Sequence, residues 1–351
     1  MTIKPRLLSL LGFLVTVSSS SIAAERPNII IFLADDLGYA DVGFNGGEDI
    51  PTPYIDSIAA NGVRFTDGYA NHPVCSPSRA GLLSGMYPHR FGFENNSGPE
   101  KYAAKNFGVP RDIPILAERL RQAGYRTGMV GKWHVGFQDG LRPHERGFDF
   151  TYGFLSGART YYPKGDRQNN QLYLNGKAFD DETEYLTDAF ARESVNFIEK
   201  HTTGDNSADP FFLYFSFNAV HLPLEATNKY ESRFPKIKNA NRKTYAGMLS
   251  ALDDAIGRVM DKVREHNMEE DTLVFFYSDN GGPTTETTSR NDPLRGYKGQ
   301  MFEGGIRIPF APERSIASRS WDLMFMPPRS LPPVSTSSGN NPSTERTSSL
   351  I

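Results

Sequence analysis

Asn28–Asp36, with the sequence NIIIFLADD, decides the fold of this chain because it joins an apolar run to two adjacent carboxylates. The residues from 29 to 33 are all apolar and do not alternate with polar ones. Continuous apolar runs are typical of strands that are covered on both faces, as in a parallel sheet between layers of helices. The stretch therefore predicts a buried β-strand over 28–33 that leads directly to Asp35 and Asp36.

Three later segments repeat this arrangement, in which polar residues follow an apolar strand. They are Arg126–Val130 before Gly131-Lys132-Trp133-His134, Phe211–Phe217 before His221-Leu222-Pro223, and Thr272–Tyr277 before Asp279-Asn280-Gly281-Gly282. Helical patterns lie between the strands, notably over 115–124 and 245–266. This alternation predicts an α/β fold with a central, mostly parallel sheet flanked by helices. Ligands bind beyond the carboxyl ends of such strands, where all four polar clusters are expected to meet.

The acidic residues at two of these strand ends suggest a metal site. Asp35, Asp36, Asp279 and Asn280 offer hard oxygen ligands, which suit Ca²⁺ or Mg²⁺ better than a soft metal. The simpler alternative is that Asp35 and Asp36 only form a turn or cap a helix. Two adjacent acids after a buried strand repel each other without a counter-cation, and this favours the metal.

Cys75 is the only cysteine among the 351 residues, and it stands in the segment Val74–Gly85, VCSPSRAGLLSG. Pro77 and the apolar residues after it predict a helix that begins at residue 75, with proline in its first turn. The amino end of a helix and the guanidinium of Arg79 both favour an anion at this position.

Three interpretations of Cys75 compete on this evidence. It is an inert core residue, the thiolate nucleophile of a phosphatase, or the precursor of a modified residue. Its polar neighbours disfavour the first interpretation. A thiolate phosphatase needs an arginine at the position that Gly81 occupies, which argues against the second.

The composition of the chain limits its location and its partners. Lys4 and Arg6 precede the apolar run 7–15, and small residues follow to Ala24, so residues 1–24 are predicted to be a secretory signal peptide. The run is shorter than the roughly 20 residues of a membrane span, and no later segment qualifies as one. A secreted or periplasmic location is expected. The net charge of −3 gives no reason to expect a nucleic-acid partner.

The last part of the chain differs in composition from the rest. Residues 311–351 contain ten serines and six prolines and show no helical or strand period. Such a segment is predicted to be disordered. The predicted organisation is therefore a signal peptide over 1–24, a catalytic domain over 25–310 and a Ser/Pro-rich tail over 311–351.

The Cys75 segment resembles the signature of the type I, formylglycine-dependent sulfatases of the alkaline phosphatase superfamily. The matching pattern is C-x-P-S-R-x-x-x-L-x-G, from Cys75 to Gly85. Other motifs of that family match in order, namely Ala34–Gly38, Gly131–His134, His221–Pro223, Ser278–Gly281 and Gly296–Gly299. The similarity runs from about residue 26 to residue 310. Family members normally continue into a smaller antiparallel subdomain, so a frameshift or a premature end is our hypothesis for the tail.

The resemblance implies a set of metal ligands and a modified residue. Residue 75 would be oxidised to formylglycine by a maturation enzyme. One Ca²⁺ would be bound by five residues, namely Asp35, Asp36, Cys75, Asp279 and Asn280. A hydroxyl of the hydrated aldehyde, acidified by Ca²⁺ and Arg79, would attack the sulfur of the substrate.

The remaining roles follow from the same resemblance. Lys132 and Lys298 would neutralise the sulfate oxygens, and His221 would protonate the departing alcohol. His134 would deprotonate the second hydroxyl, which expels sulfate and restores the aldehyde. The ordinary alternatives are that the histidines are core residues and the lysines are solvated surface charges.

The function implied is that of an exported hydrolase of sulfate esters, acting on a sulfated sugar, a polysaccharide or an aryl sulfate. One alternative is a phosphodiesterase or phosphonate hydrolase of the same superfamily. Such enzymes usually need a second set of Asp and His ligands, which is not found in the sequence. Another alternative is a truncated, inactive remnant of a sulfatase.

Overall fold

The structure is a computed structural model, and it describes residues 26–96, 104, 107–163, 171–203 and 209–314. All of them belong to one compact unit of the chain. The predicted signal peptide and residues 315–351 of the predicted tail lie outside the described residues. Within the described part of the chain, no helix combines the length and the apolar character needed to cross a membrane.

Eight strands of the described residues form one sheet. The strands are β1 (Asn28–Ala34), β2 (Arg126–Lys132), β3 (Phe150–Phe154), β4 (Leu172–Leu174), β5 (Lys177–Phe179), β6 (Phe211–Ser216), β7 (Thr272–Ser278) and β8 (Phe310–Arg314). Their order is β5-β4-β3-β2-β6-β1-β7-β8. The five strands from β3 to β7 in this order pair in parallel, and the strands at both margins pair antiparallel. The predicted mostly parallel sheet and all four predicted strands are confirmed.

Eight α-helices are found in the described residues. They are α1 (Pro53–Asn61), α2 (Cys75–Ser84), α3 (Leu116–Gln122), α4 (Leu186–Thr203), α5 (Asn228–Glu231), α6 (Ala240–Glu265), α7 (Thr284–Thr287) and α8 (Glu303–Ile306). The three predicted helices correspond to α2, α3 and α6. Short 3₁₀ helices lie at Gly43–Asn45, Pro88–Phe91, Pro143–Glu145 and Glu269–Asp271.

The position of β1 in the sheet explains its unbroken apolar sequence. β1 lies between β6 and β7, so both of its edges are paired. Ile30 and Phe32 point into one hydrophobic cluster, which also contains the apolar face of α6. Ile31 and Leu33 point into a second cluster on the opposite face. Each fully buried side chain of this size contributes about 1.5–3 kcal/mol, so a polar residue on either face would be unfavourable.

The tail is predicted to begin at residue 311, but the last strand continues to residue 314, so the predicted boundary is wrong. Residues 311–314 belong to β8, which pairs antiparallel with β7 from Phe310 opposite Tyr277 to Arg314 opposite Leu273. The sequence does not predict this strand because Pro312 has no backbone N–H to donate a hydrogen bond to a neighbouring strand. An edge strand tolerates proline, and the carbonyl of Pro312 accepts a hydrogen bond from Val63 at 2.9 Å.

Asp253 on α6 gives the stability of the fold a pH dependence. Its carboxylate accepts hydrogen bonds from the backbone N–H groups of Ile55 at 2.9 Å and Tyr54 at 3.3 Å, in the first turn of α1. Burial raises the pKa of Asp253 to about 7. Because this value lies above the unfolded value of about 3.9, its stabilising contribution is present at low pH and is lost as the pH rises from about 4 to 7.

Asp253→Asn is therefore expected to change the pH profile of unfolding. Between pH 5 and pH 8 the natural protein should lose about 1–3 kcal/mol more of its free energy of unfolding than the variant loses. Urea unfolding of both proteins at the two pH values measures this difference. Asp254→Asn, at a neighbouring but more exposed carboxylate, should show no comparable change. An equal effect of Asp253→Asn at both pH values would contradict the prediction.

Candidate active site

The polar residues that follow β1, β2, β6 and β7 meet beyond the carboxyl ends of these strands. Cys75 lies among them at the start of α2, after an extended Val74. Its Sγ is 3.5 Å from Oδ1 of Asp35 and 3.8 Å from Oδ1 of Asp36. Burial raises the pKa of the Cys75 thiol, although Lys132 opposes this effect. Cys75 is thus buried among charged groups as a neutral thiol, which is not the apolar setting of an inert core cysteine.

The helix that carries Cys75 is bounded by local features of its sequence. The N–H of Ser76 donates to Oδ1 of Asn96 at 2.9 Å, which satisfies one backbone donor of the first turn. Gly85 ends the helix in the left-handed conformation, with φ of 68°, and its N–H donates to the carbonyl of Gly81. Glycine is suited to this position because it has no Cβ.

Arg79 is fully buried and connects α2 to four strand ends. Its Nε and Nη2 both lie 2.8 Å from Oδ2 of Asp279, while Nη2 is 3.7 Å from Oδ1 of Asp35. Nη1 donates to the carbonyl of Lys132 at 3.2 Å and to the hydroxyl of Ser216. The sequence predicts that Arg79 favours an anion, and the anion that it contacts in the structure is the carboxylate of Asp279.

Both predicted lysines point into the site. Nζ of Lys132 is 2.6 Å from Oδ2 of Asp35, and the Lys132 side chain is fully buried. Nζ of Lys298 is 2.7 Å from Oδ2 of Asp36. The loop of Lys298 is held beside α2 because the N–H of Gly299 donates to the carbonyl of Pro73 at 2.9 Å. These ion pairs exclude the alternative that the two lysines are solvated surface charges.

The two predicted histidines differ in what surrounds them. Nδ1 of His134 is buried and has no hydrogen-bond partner among the described residues. Burial lowers the pKa of His134 well below its usual value, so a neutral imidazole is available to accept a proton. Nδ1 of His221 donates to the carbonyl of Leu222 at 2.7 Å, which directs Nε2 to within 3.6 Å of Oδ2 of Asp36. Burial also lowers the pKa of His221, with Asp35 and Asp36 opposing this effect.

The electrostatics of the carboxylates fit a bound cation. Burial opposes the ionisation of Asp35, but Lys132, His221 and Arg79 outweigh it and lower the pKa of Asp35. For Asp279, burial and the charge of Asp35 raise the pKa. A divalent ion would relieve this repulsion between buried carboxylates.

The donor geometry agrees with a hard metal ion. Ligand atoms of four residues lie within 4.8 Å of one another, namely those of Asp35, Asp36, Cys75 and His221. Nδ2 of Asn280 donates to Oδ1 of Asp36 at 2.7 Å, and Oδ1 of Asn280 is buried without a partner among the described residues. An unpaired buried amide oxygen beside carboxylates is a suitable ligand for Ca²⁺. The residues present therefore fit the cation that the sequence suggests. His221 also belongs to this cluster, which the sequence does not predict.

Several residues of the site had no signal in the sequence. Ser216 is the last residue of β6, and its hydroxyl donates to the carbonyl of Lys132 at 2.7 Å. The hydroxyl of Tyr161 donates to the carbonyl of His221 at 2.8 Å and to that of Asn218. Asn96 belongs to no recognisable motif. Serine, tyrosine and asparagine are too common for such contacts to be anticipated without the tertiary structure.

Comparisons with known proteins show the family to which the chain is similar. A family model described as Sulfatase matches residues 27–311. Mouse arylsulfatase J is 38% identical over 291 residues, which cover 81% of this chain and 47% of the mouse protein. Human N-acetylgalactosamine-6-sulfatase is 32% identical over 305 residues, which cover 82% of this chain and 56% of the human protein. The chain spans about half the length of the curated relatives it matches.

Solved structures show the same architecture. The structure of Ps i-CgsB in complex with k-i-k-neocarrahexaose has a TM-score of 0.77 and 42% identity, over 82% of this chain and 66% of that chain. The PsFucS1 sulfatase from Pseudoalteromonas sp. has a TM-score of 0.69 and 30% identity, over 82% of this chain and 62% of that chain. Both matches support the α/β fold.

Proposed function

Since this chain belongs to the sulfatase family, we propose that it hydrolyses sulfate esters at the carboxyl edge of its sheet. The observation that carries the proposal is the position of Cys75. Its sulfur lies at the amino end of α2, within 3.5 Å of Asp35 and 3.8 Å of Asp36, and is flanked by buried cations. An anionic sulfate and a reactive residue can both be accommodated at such a helix end.

Residue 75 is proposed to act after its conversion to formylglycine by a maturation enzyme. The unmodified thiol is a poor nucleophile here because burial raises its pKa. The aldehyde supplies, in its hydrated form, a hydroxyl that attacks sulfur and a second hydroxyl that permits release of sulfate. Without such an exit, a plain serine or cysteine would remain as a stable sulfated adduct.

Asp35, Asp36, Asp279, Asn280 and residue 75 are proposed to hold one Ca²⁺. The ion supplies positive charge that acidifies the nucleophilic hydroxyl and stabilises the negative charge of the transition state. Support comes from the hard oxygen donors and from the unpaired, buried amide oxygen of Asn280.

The other site residues bind sulfate and move protons. Lys132 and Lys298 are the proposed sulfate-binding residues. In the structure their ammonium groups contact Asp35 and Asp36. His221 presents Nε2 to the site and is the proposed proton donor to the departing alcohol. Because Nδ1 already donates to Leu222, this role requires the imidazolium form, which the charges of Asp35 and Asp36 favour. His134 is the proposed base, because burial keeps its imidazole neutral.

The proposed substrate is a sulfated sugar or polysaccharide, and the proposed location is outside the cytoplasm. The relatives named N-acetylgalactosamine-6-sulfatase support a sulfated sugar. The neocarrahexaose in complex with Ps i-CgsB supports an oligosaccharide. The apolar run near the start of the sequence, with its basic and small flanking residues, supports export.

Chelation tests the proposed chemistry. The protein is coexpressed with a formylglycine-generating enzyme, and sulfate release from an aryl sulfate is followed before and after treatment with a chelator. Removal of Ca²⁺ should lower the rate by about 100-fold or more, and added Ca²⁺ should restore it. Glu199→Gln is a matched control, because Glu199 belongs to an acidic and histidine cluster on the surface, away from Cys75. Hydrolysis of phosphodiesters without sulfate release would contradict the proposal.

A further inference from the structure

Arg159 differs from the other buried arginines of the described residues. Its residue surface is only 4% exposed, yet Nε and Nη1 have no hydrogen-bond partner in the part of the chain that the structure describes. Arg146, which is equally buried, uses its guanidinium fully, with bonds to Glu118 at 2.9 Å and to the carbonyls of Val109 at 2.7 Å and Ile113 at 2.9 Å. Arg159 is therefore a buried cation with free donors, an arrangement that is unfavourable in the protein alone.

Two acids, Glu182 and Glu225, act electrostatically on Arg159, but both already accept hydrogen bonds from other residues. Oε2 of Glu182 accepts bonds from the hydroxyl of Tyr152 and from Arg192 at 2.7 Å. Oε2 of Glu225 accepts bonds from the hydroxyl of Thr160 at 2.6 Å and from the N–H of Tyr161 at 2.7 Å. Burial lowers the pKa of Arg159 to about 10, so the side chain still carries its charge at neutral pH.

Arg159 lies on a loop that borders the catalytic residues on both sides. Two residues before it, a Cβ built on Gly157 would lie 2.6 Å from Nε2 of His134, so this glycine permits close contact with the imidazole. Two residues after it, the hydroxyl of Tyr161 donates to the carbonyl of His221 at 2.8 Å. The segment 157–161 is thus fixed between the proposed base and the proposed proton donor.

We propose that Arg159 binds a second anionic group of the substrate, distinct from the sulfate ester that is cleaved. This inference rests on the proposed function and specifies its substrate class as a sugar that carries at least two anionic groups. The unpartnered Nε and Nη1 lie on different edges of the guanidinium, so each is free to donate a hydrogen bond to an oxygen of a sulfate or carboxylate group. Such an anion would supply the missing hydrogen bonds and a further negative charge beside the guanidinium.

Thermal unfolding with and without inorganic anions tests this proposal and needs no turnover. The natural protein, Arg159→Met and Arg146→Met are compared in low-millimolar sodium sulfate and in sodium chloride of equal ionic strength. Arg159→Met should raise the midpoint of the anion-free protein by about 2–4 °C, because an unpaired buried charge is removed. Arg146→Met should lower the midpoint, because its removal leaves bonded partners without their donor.

The response to sulfate decides the outcome. Sulfate should raise the unfolding midpoint of the natural protein in a saturable way. This saturable rise should be smaller in Arg159→Met and should persist in Arg146→Met if that variant folds. A parallel titration with acetate separates the two sources of the anion, since a response to sulfate alone assigns a second sulfate and a response to both includes a carboxylate. A lower midpoint or loss of folding in Arg159→Met, or an unchanged sulfate response, would overturn the proposal. Because sulfate binding is measured directly, absence of sulfatase turnover would leave this result intact.

Discussion

Cys75→Ala is expected to lower sulfate release by about 1,000-fold or more, to the background of the assay. Alanine cannot be converted to formylglycine, and the hydroxyl of the adjacent Ser76 is already engaged as a donor to the carbonyl of His134. Cys75→Ser is expected to be equally inactive when both proteins are coexpressed with the same cysteine-specific maturation enzyme, because that enzyme does not convert serine. Initial rates with an aryl sulfate, at equal concentrations of folded protein, measure the loss.

The loss must be separated from a loss of folding. Cys75 makes only long contacts with Asp35 and Asp36 through its sulfur, so its replacement should change the free energy of unfolding much less than it changes activity. Circular dichroism and the unfolding midpoint of each variant provide this control. A well-folded Cys75→Ala protein that retains a tenth of the natural activity would show that residue 75 is not the nucleophile.

Arg79→Met is expected to destabilise the Ca²⁺-free protein by about 3–5 kcal/mol. Arg79 is fully buried and contacts Asp279 with two nitrogen atoms at 2.8 Å. Its removal leaves this carboxylate without its cation, and it also removes a donor from the carbonyl of Lys132 and the hydroxyl of Ser216. Urea unfolding in the presence of a chelator measures the change.

A surface ion pair provides the comparison for Arg79. Arg233 contacts Asp254 at 2.7 Å, but both side chains are substantially exposed. Arg233→Met should therefore change stability by only about 0–1 kcal/mol. If the two arginine variants were equally stable, Arg79 would not be the buried link between α2 and the strand ends that the structure indicates.

Strands in the centre of the sheet could be predicted because their sequence is constrained on both faces. Ile30 and Ile31 in β1 enter different hydrophobic clusters, which requires an unbroken apolar run. β4 and β5 contain three residues each, too few for a readable period. β8 contains Pro312, which the edge of a sheet accepts but which sequence patterns associate with breaks. The margins of the sheet thus depended on tertiary pairing that the sequence does not encode locally.

The site was predictable where chemistry requires a residue type at a strand end. Asp35, Lys132 and Asp279 follow such strands and are brought together by the topology of the sheet. The partner of Arg79 was not predictable, because it depends on the distance between α2 and β7. The unpaired state of Arg159 was also hidden, since an arginine in a loop is ordinarily solvated. Only burial and the contacts of its neighbours distinguish it.

The central claim is that Cys75 is the precursor of the catalytic group, and the mass of the peptide that contains residue 75 tests it most directly. The protein is coexpressed with a formylglycine-generating enzyme, digested, and measured by mass spectrometry alongside its rate of sulfate release. We expect this peptide to be about 18 Da lighter than the cysteine form, with sulfate release proportional to the modified fraction. Full sulfate release from protein whose residue 75 has the mass of unmodified cysteine would contradict the account.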